Sequence, residues 1–151
     1  MVSKEQRQKW KSSVSSLLND PFGLQTFREF LEKRKDEAKV QVVLNCIDFY
    51  EECEHHKKLK TVEELSNSGK SIYSTYLEEL ADKEIPAIGE SRNESRKVGE
   101  KLENQDLPKK DLETLFNGAQ ENVCQFISDG GTHQAFCRQL NVGNTSVCTL
   151  H

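Results

Sequence analysis

Long apolar runs are missing from this sequence, and nothing in it approaches the roughly 20 apolar residues of a membrane span. No integral membrane segment is therefore expected. The opening MVSKEQRQKWKSS has no apolar core of the kind a secretory leader carries. It also lacks the glycine after Met1 that myristoylation requires,. The closing CTLH starts with Cys148 as a prenylation box does, but His151 is an unusual last residue for one,. Basic excess is missing too: the net charge is -4 with both signs spread along the chain. Releasing counterions from a phosphate backbone needs a basic surface, so no nucleic-acid partner is expected. The five cysteines (Cys46, Cys53, Cys124, Cys137 and Cys148) are odd in number and have no paired spacing. They read as reduced thiols of a cytoplasmic protein. In that setting the sequons at Asn93-Glu94-Ser95 and Asn144-Thr145-Ser146 are chance matches,.

Period-two alternation, internal repeats and low-complexity tracts are also absent. What is present is apolar spacing at helical period. Trp10, Val14, Leu17 and Leu18 make one stripe, stopped by Asp20-Pro21-Phe22-Gly23. Leu24, Phe27, Phe30 and Leu31 make a second, and Val40, Val43, Leu44, Ile47 and Tyr50 a third. Thr61 and Glu64 have capping-box spacing, ahead of Leu65 and then Ile72, Tyr73, Tyr76, Leu77 and Leu80. Asn67-Ser68-Gly69 reads as a break between two helices. Pro86 and Gly89 read as a loop, followed by a short helix over 92–102 with Val98 and Leu102 inward. Pro108 fits a helix start. Leu112, Leu115, Phe116, Ala119, Val123, Phe126 and Ile127 form the cleanest stripe, with Phe126 expected in the core. Asp129-Gly130-Gly131 ends it, and Thr132 caps a last short helix carrying Phe136 and Leu140. The expected fold is all-α, one domain, a single bundle of about seven to nine short helices. Residues 1–9 and 143–151 are expected to be flexible ends around a domain over 10–142,.

The segment CIDFYEECEHHKKL (46–59) concentrates the groups that bear chemistry. Cys53 and His56 are three apart and share a helix face,. A structural zinc site draws about four ligands from two clusters, and no second Cys/His cluster stands elsewhere. His133 and Cys137 have i,i+4 spacing, but Phe136 beside them marks a packing helix. The segment reads as a helix with Ile47 and Tyr50 inward and Glu51, Glu52, Glu54, Lys57 and Lys58 solvated. No metal and no catalytic residue is assigned. Asn67-Ser68-Gly69-Lys70-Ser71 resembles the end of a phosphate-binding loop, but Glu64 stands where its first glycine belongs and no strand precedes it,. No cofactor is implied. On these grounds the chain is a non-enzymatic module that acts through a helical surface.

Several segments together resemble the RGS-homology family, the helical domain of regulators of G-protein signalling. They are LLNDPFGLQTFREFLEKR (17–34), SIYSTYLEEL (71–80), DLETLFNGAQENVCQFI (111–127) and HQAFCRQLNV (133–142). The likeness spans about residues 10–142 in the family's order. Within the family, Phe49-Tyr50-Glu51-Glu52, Lys58-Leu59 followed by Thr61 and Glu63-Glu64, and Phe136-Cys137 with Asn141-Val142 are most similar to the N-terminal domain of the G-protein-coupled receptor kinases. The axin branch is a second resemblance, through the opening segment. These residues carry no kinase motif, so kinase activity is not implied.

The resemblance implies a Gα subunit, or another signalling protein, as partner. In the receptor-kinase branch Gα is held by the exposed side of the central helix, and the matching positions are Lys70, Tyr73, Ser74, Leu77 and Glu78. In GTPase-activating members, loops at one end of the bundle brace the switch regions of Gα and supply no catalytic residue. The matching positions there are Glu37, Lys39, Pro86, Ala87 and Ala135. Lys39 stands at the family's Asn, Val42-Val43 at its aromatic pair, and Gly130 and Ala135 near its acidic and arginine positions. Each change removes a polar switch contact. The resemblance therefore implies an interaction module that occupies the effector surface of Gα. GTPase activation through a divergent surface and an axin-like scaffold binding a peptide are the alternatives. A membrane would be reached only through a partner.

Overall fold

A computed structural model describes residues 3–85 and 91–149, with side chains outside 91–94 and 141–149. Among the described residues the chain is all-α. It has α1 (Lys4–Ser12), α2 (Val14–Leu18), α3 (Pro21–Glu32), α4 (Ala38–Lys57), α5 (Val62–Ile72), a π-helical turn (Tyr73–Leu77), α6 (Ser91–Glu103), α7 (Lys109–Glu113), α8 (Asn117–Asp129) and α9 (Thr132–Thr149). None of these is long and apolar enough to cross a membrane. The chain divides into two compact units, Met1–Gln41 with Cys124–His151, and Val42–Val123.

In the first unit the helices begin where the sequence supplies a cap. Ser3 and Gln6 form a reciprocal capping box at α1,. Ser13 is extended and its hydroxyl accepts the Ser16 N–H, so the stripe from Trp10 to Leu18 lies on two helices rather than one,. Asp20 caps α3 through the Phe22 N–H, with Pro21 in the first turn,. Its other carboxylate oxygen accepts the Trp10 indole N–H at 2.9 Å. That bond leads the effects that hold the Asp20 carboxyl below its usual range. Trp10, Phe27 and Phe136 are buried together, and Phe136 meets Phe27 at 5.0 Å and Phe30 at 5.4 Å between ring centroids,. Gly23 is required by this packing. A β-carbon there would stand 2.7 Å from the Leu17 carbonyl oxygen and 2.7 Å from the indole nitrogen of Trp10.

In the second unit Phe49 is fully buried and meets Tyr76 at 5.6 Å and Phe116 at 6.0 Å. α5 runs straight through Asn67-Ser68-Gly69, where a break was expected. Gly69 is a helical glycine because a β-carbon would come within 3.0 Å of Leu102 and 3.2 Å of Leu115. Its absence lets neighbouring side chains pack against the α5 backbone. The stripe from Leu112 to Ile127 is likewise split into α7 and α8, with Pro108 as the residue before α7. Leu115 and Phe116 lie in the turn between them and are still buried.

Phe126 corrects an expectation. It is only half-buried, while Ile127 beside it is fully buried. The stripe is wider than the face that meets the core, and Phe126 lies at its margin. Phe136→Ala is therefore expected to cost about 3–5 kcal/mol, and Gly23→Ala about 1–3 kcal/mol through overpacking. Phe126→Ala should cost clearly less than Phe136→Ala. Denaturant unfolding of the three variants checks this order, and an equal loss at Phe126 and Phe136 would contradict the packing described.

Candidate functional site

The segment 46–59 lies on α4 and its C-terminal turn, and it is not merely a solvated face. Cys46, Ile47, Phe49, Tyr50, Cys53 and His56 are all buried. Glu52, His55, Lys57 and Lys58 are exposed. His56, 1 % exposed, has both ring nitrogens engaged. Its Nε2–H donates to the Leu112 carbonyl at 2.7 Å, which leaves Nδ1 to accept the Ser68 hydroxyl at 2.9 Å,. The ring also meets Phe116 edge-on at 5.2 Å. Burial pushes the imidazole below its ordinary 6.5, the Leu112 bond opposes this, and the nearby Lys57 charge adds to it,. Burial also pushes the Cys53 thiol far up, so it behaves as a small apolar side chain and not as a nucleophile,. Among the described residues no group of three His, Cys, Asp or Glu side chains is placed to hold a metal.

The five positions suggested by the central helix fall at the end of α5, in the π turn and just beyond it. The π turn is closed by the Glu78 N–H donating to the Tyr73 carbonyl at 2.8 Å, five residues back,. The wider turn brings both Tyr76 and Leu77 inward, so Leu77 (6 % exposed) is core and not surface. Lys70, Ser74 and Glu78 are exposed and Tyr73 is half-buried. These four line an open groove of about 490 Å³, facing Arg96, Gly99, Glu100, Leu102 and Glu103 of α6. Tyr73 lies against Gly99, where a β-carbon would stand 2.8 Å from the phenol oxygen.

Leu80 was expected to continue the apolar stripe, and it does not. The helix ends at Leu77, and the N–H groups of Lys83 and Ile85 return to the Thr75 and Tyr76 carbonyls at 3.1 and 2.9 Å. Lys83 also pairs with Asp48 at 2.8 Å. The tightly folded connection leaves Leu80 90 % exposed at φ 66°, a left-handed conformation that leucine rarely adopts,. Sequence periodicity missed this because the helix-ending hydrogen bonds come from residues with no helix-breaking chemistry.

Of the switch-facing positions, Glu37 and Lys39 are exposed at the start of α4 and Ala135 is half-buried on α9. Pro86 and Ala87 lie outside the described residues. Lys39 Nζ donates to the Gly130 carbonyl just past the end of α8. An ammonium there complements the free carbonyls of a helix C-terminus. In the first unit this bond brings together the α3–α4 and α8–α9 connections.

The family model described as the regulator of G protein signaling domain matches residues 13–139. The chain belongs to that family. Regulator of G-protein signaling 10 from Mus musculus is 39% identical over 84 residues, 56% of this chain and 42% of that protein. The proteins of the same name from Rattus norvegicus and Homo sapiens are 38% and 37% identical over the same length. The chain thus matches about two fifths of the length of these relatives.

His56 sets a pH dependence. Its folded pKa is depressed, so the neutral ring contributes stability that is complete above 6.5 and is lost as pH falls below that value through the folded pKa,. Denaturant midpoints measured from about pH 7 to pH 5 should fall more steeply for the native chain than for His56→Gln. Parallel slopes would show that His56 does not titrate differently in the folded state.

Proposed function

We infer that this chain is an interaction module of G-protein signalling that binds an activated Gα subunit through the α5–α6 face and does no chemistry itself. Family membership and relatives named as regulators of G-protein signaling support the pathway. The observation that carries the choice of surface is the groove itself. Lys70, Tyr73, Ser74 and Glu78 form one wall of it, with a half-buried aromatic between charged neighbours. Aromatic anchors rimmed by charge are the usual source of binding energy at protein interfaces. A module seated on Gα in this way would restrain signalling by covering the effector surface.

GTPase activation is the second reading, and the Lys39–Gly130 bond favours it. That bond sets two connections side by side which, in GTPase-activating members, brace the Gα switch regions. Against it stand a lysine, a glycine and an alanine at Lys39, Gly130 and Ala135, where such members carry polar switch contacts,.

Binding to a panel of Gα subunits separates the two readings. Each subunit is offered with GDP, with a non-hydrolysable GTP analogue, and with GDP plus aluminium fluoride. Effector-surface binding predicts equal affinity for both activated states, with Tyr73→Ala and Lys70→Ala each weakening it roughly tenfold, about 1.4 kcal/mol. Preference for the aluminium fluoride state with faster GTP hydrolysis would select the second reading. No binding in any state would move the partner to a scaffold peptide of the axin kind.

A further inference from the structure

Beside the groove, and sharing Lys70 and Leu102 with it, a smaller pocket of about 240 Å³ opens between α5, α6 and the connection into α7. Val62, Leu102, Leu107 and Leu112 supply its apolar lining. Val62 is 49 % exposed, an unusual exposure for a large aliphatic side chain here. Lys70 and Lys101 reach its rim, and no carboxylate is among the described residues that line it. Neither lysine's ammonium group makes an ion pair or hydrogen bond among the described residues. Asn104, Gln105 and Ser66 add neutral hydrogen-bond donors to the same rim,. The neighbouring groove is of mixed sign, with Glu78, Glu100 and Glu103 against Lys70 and Arg96. The smaller pocket therefore has a charge character of its own.

Two cations over an apolar floor fit a ligand that is apolar and anionic at once. At about 240 Å³ the pocket is too small to take a helix,. A single residue offers both groups when it is aliphatic and ends a chain. The geometry points to this pocket as a receptor for the free C-terminal carboxylate of a protein segment ending in an aliphatic residue such as leucine. The side chain would lie on Leu102, Leu107 and Leu112, and the carboxylate between Lys70 and Lys101 with the amides of Asn104 and Gln105 beside it. The assignment shares Lys70 with the proposed Gα surface and is distinguished from it by Lys101 and the apolar floor.

The test is titration of the ¹⁵N-labelled chain with N-acetyl-Gly-Ser-Gly-Leu as the free acid, as its C-terminal amide, and with an amide-blocked peptide carrying an internal Glu-Leu pair. Amide shifts should cluster at Val62, Ser66, Leu102 and Leu112, with the free acid binding at least about tenfold tighter than either control. Lys101→Ala should abolish that preference while leaving the rest of the spectrum in place, and Lys101→Arg should keep it. Equal binding of acid and amide, binding of the internal Glu-Leu peptide as tight as that of the free acid, shifts mapping elsewhere, or no shift up to roughly 10 mM would each overturn the assignment.

Discussion

A buried imidazole has to be satisfied at both nitrogens, and in the second unit that requirement joins three helices. His56 on α4 donates to the Leu112 carbonyl on α7 and accepts from Ser68 on α5. Each bond is directional, so the register of α5 against α4 is set to within the tolerance of a hydrogen bond. The two positions after Ser68 on α5 are Gly69, bare enough to admit Leu102 and Leu115, and Lys70, which reaches the groove. The π turn follows directly, so the placement of Tyr73 descends from that one ring. Losing either partner would leave a buried polar atom without a bond, which costs more than the bond itself contributes.

Close packing onto backbone is the second recurring device. Gly23 admits the indole of Trp10, Gly69 admits two leucines, and Gly99 admits the phenol of Tyr73. At all three places the side chain that is missing decides how near the neighbouring groups come. The Tyr73–Gly99 contact also shapes the groove. It holds α6 against the π turn and so gives the groove its second wall, from which Arg96, Glu100 and Glu103 face the partner side chains of α5. A π turn is a costly local geometry that tends to persist where it positions side chains for use, and here it separates half-buried Tyr73 from Leu77 in the core.

Family membership and surface chemistry bear on different questions. Membership in the regulator of G protein signaling domain family accounts for the helical order and points to the pathway. It leaves open how a partner is met, because the two candidate surfaces use different side chains. One surface has its lysine, Lys39, engaged with a backbone carbonyl of its own unit. The other has Lys70 without an ion-pair partner among the described residues, beside a half-buried aromatic. An engaged cation has to break a favourable contact before it serves a partner, whereas an unpaired one does not.

Much of this was legible in the sequence because helix formation is local. The period of apolar residues placed the stripes, and Asp20, Thr61 and Gly131 ended or began helices through their own side-chain or backbone preferences,. The order of the segments was enough to bring out the family resemblance. What the sequence did not reveal is decided by contacts between residues far apart in it. Asn67-Ser68-Gly69 read as a break and is continuous helix, because Leu102 and Leu115 pack where a side chain would be. Leu80 read as core and is exposed, because hydrogen bonds from Lys83 and Ile85 end the helix before it. His56 read as a neighbour of Cys53 on one helix face and is the buried junction of three helices, because its acceptor and donor partners lie on α7 and α5. Local preference chose helices and their limits, and long-range packing and hydrogen bonding decided which face of each became core and which became a site.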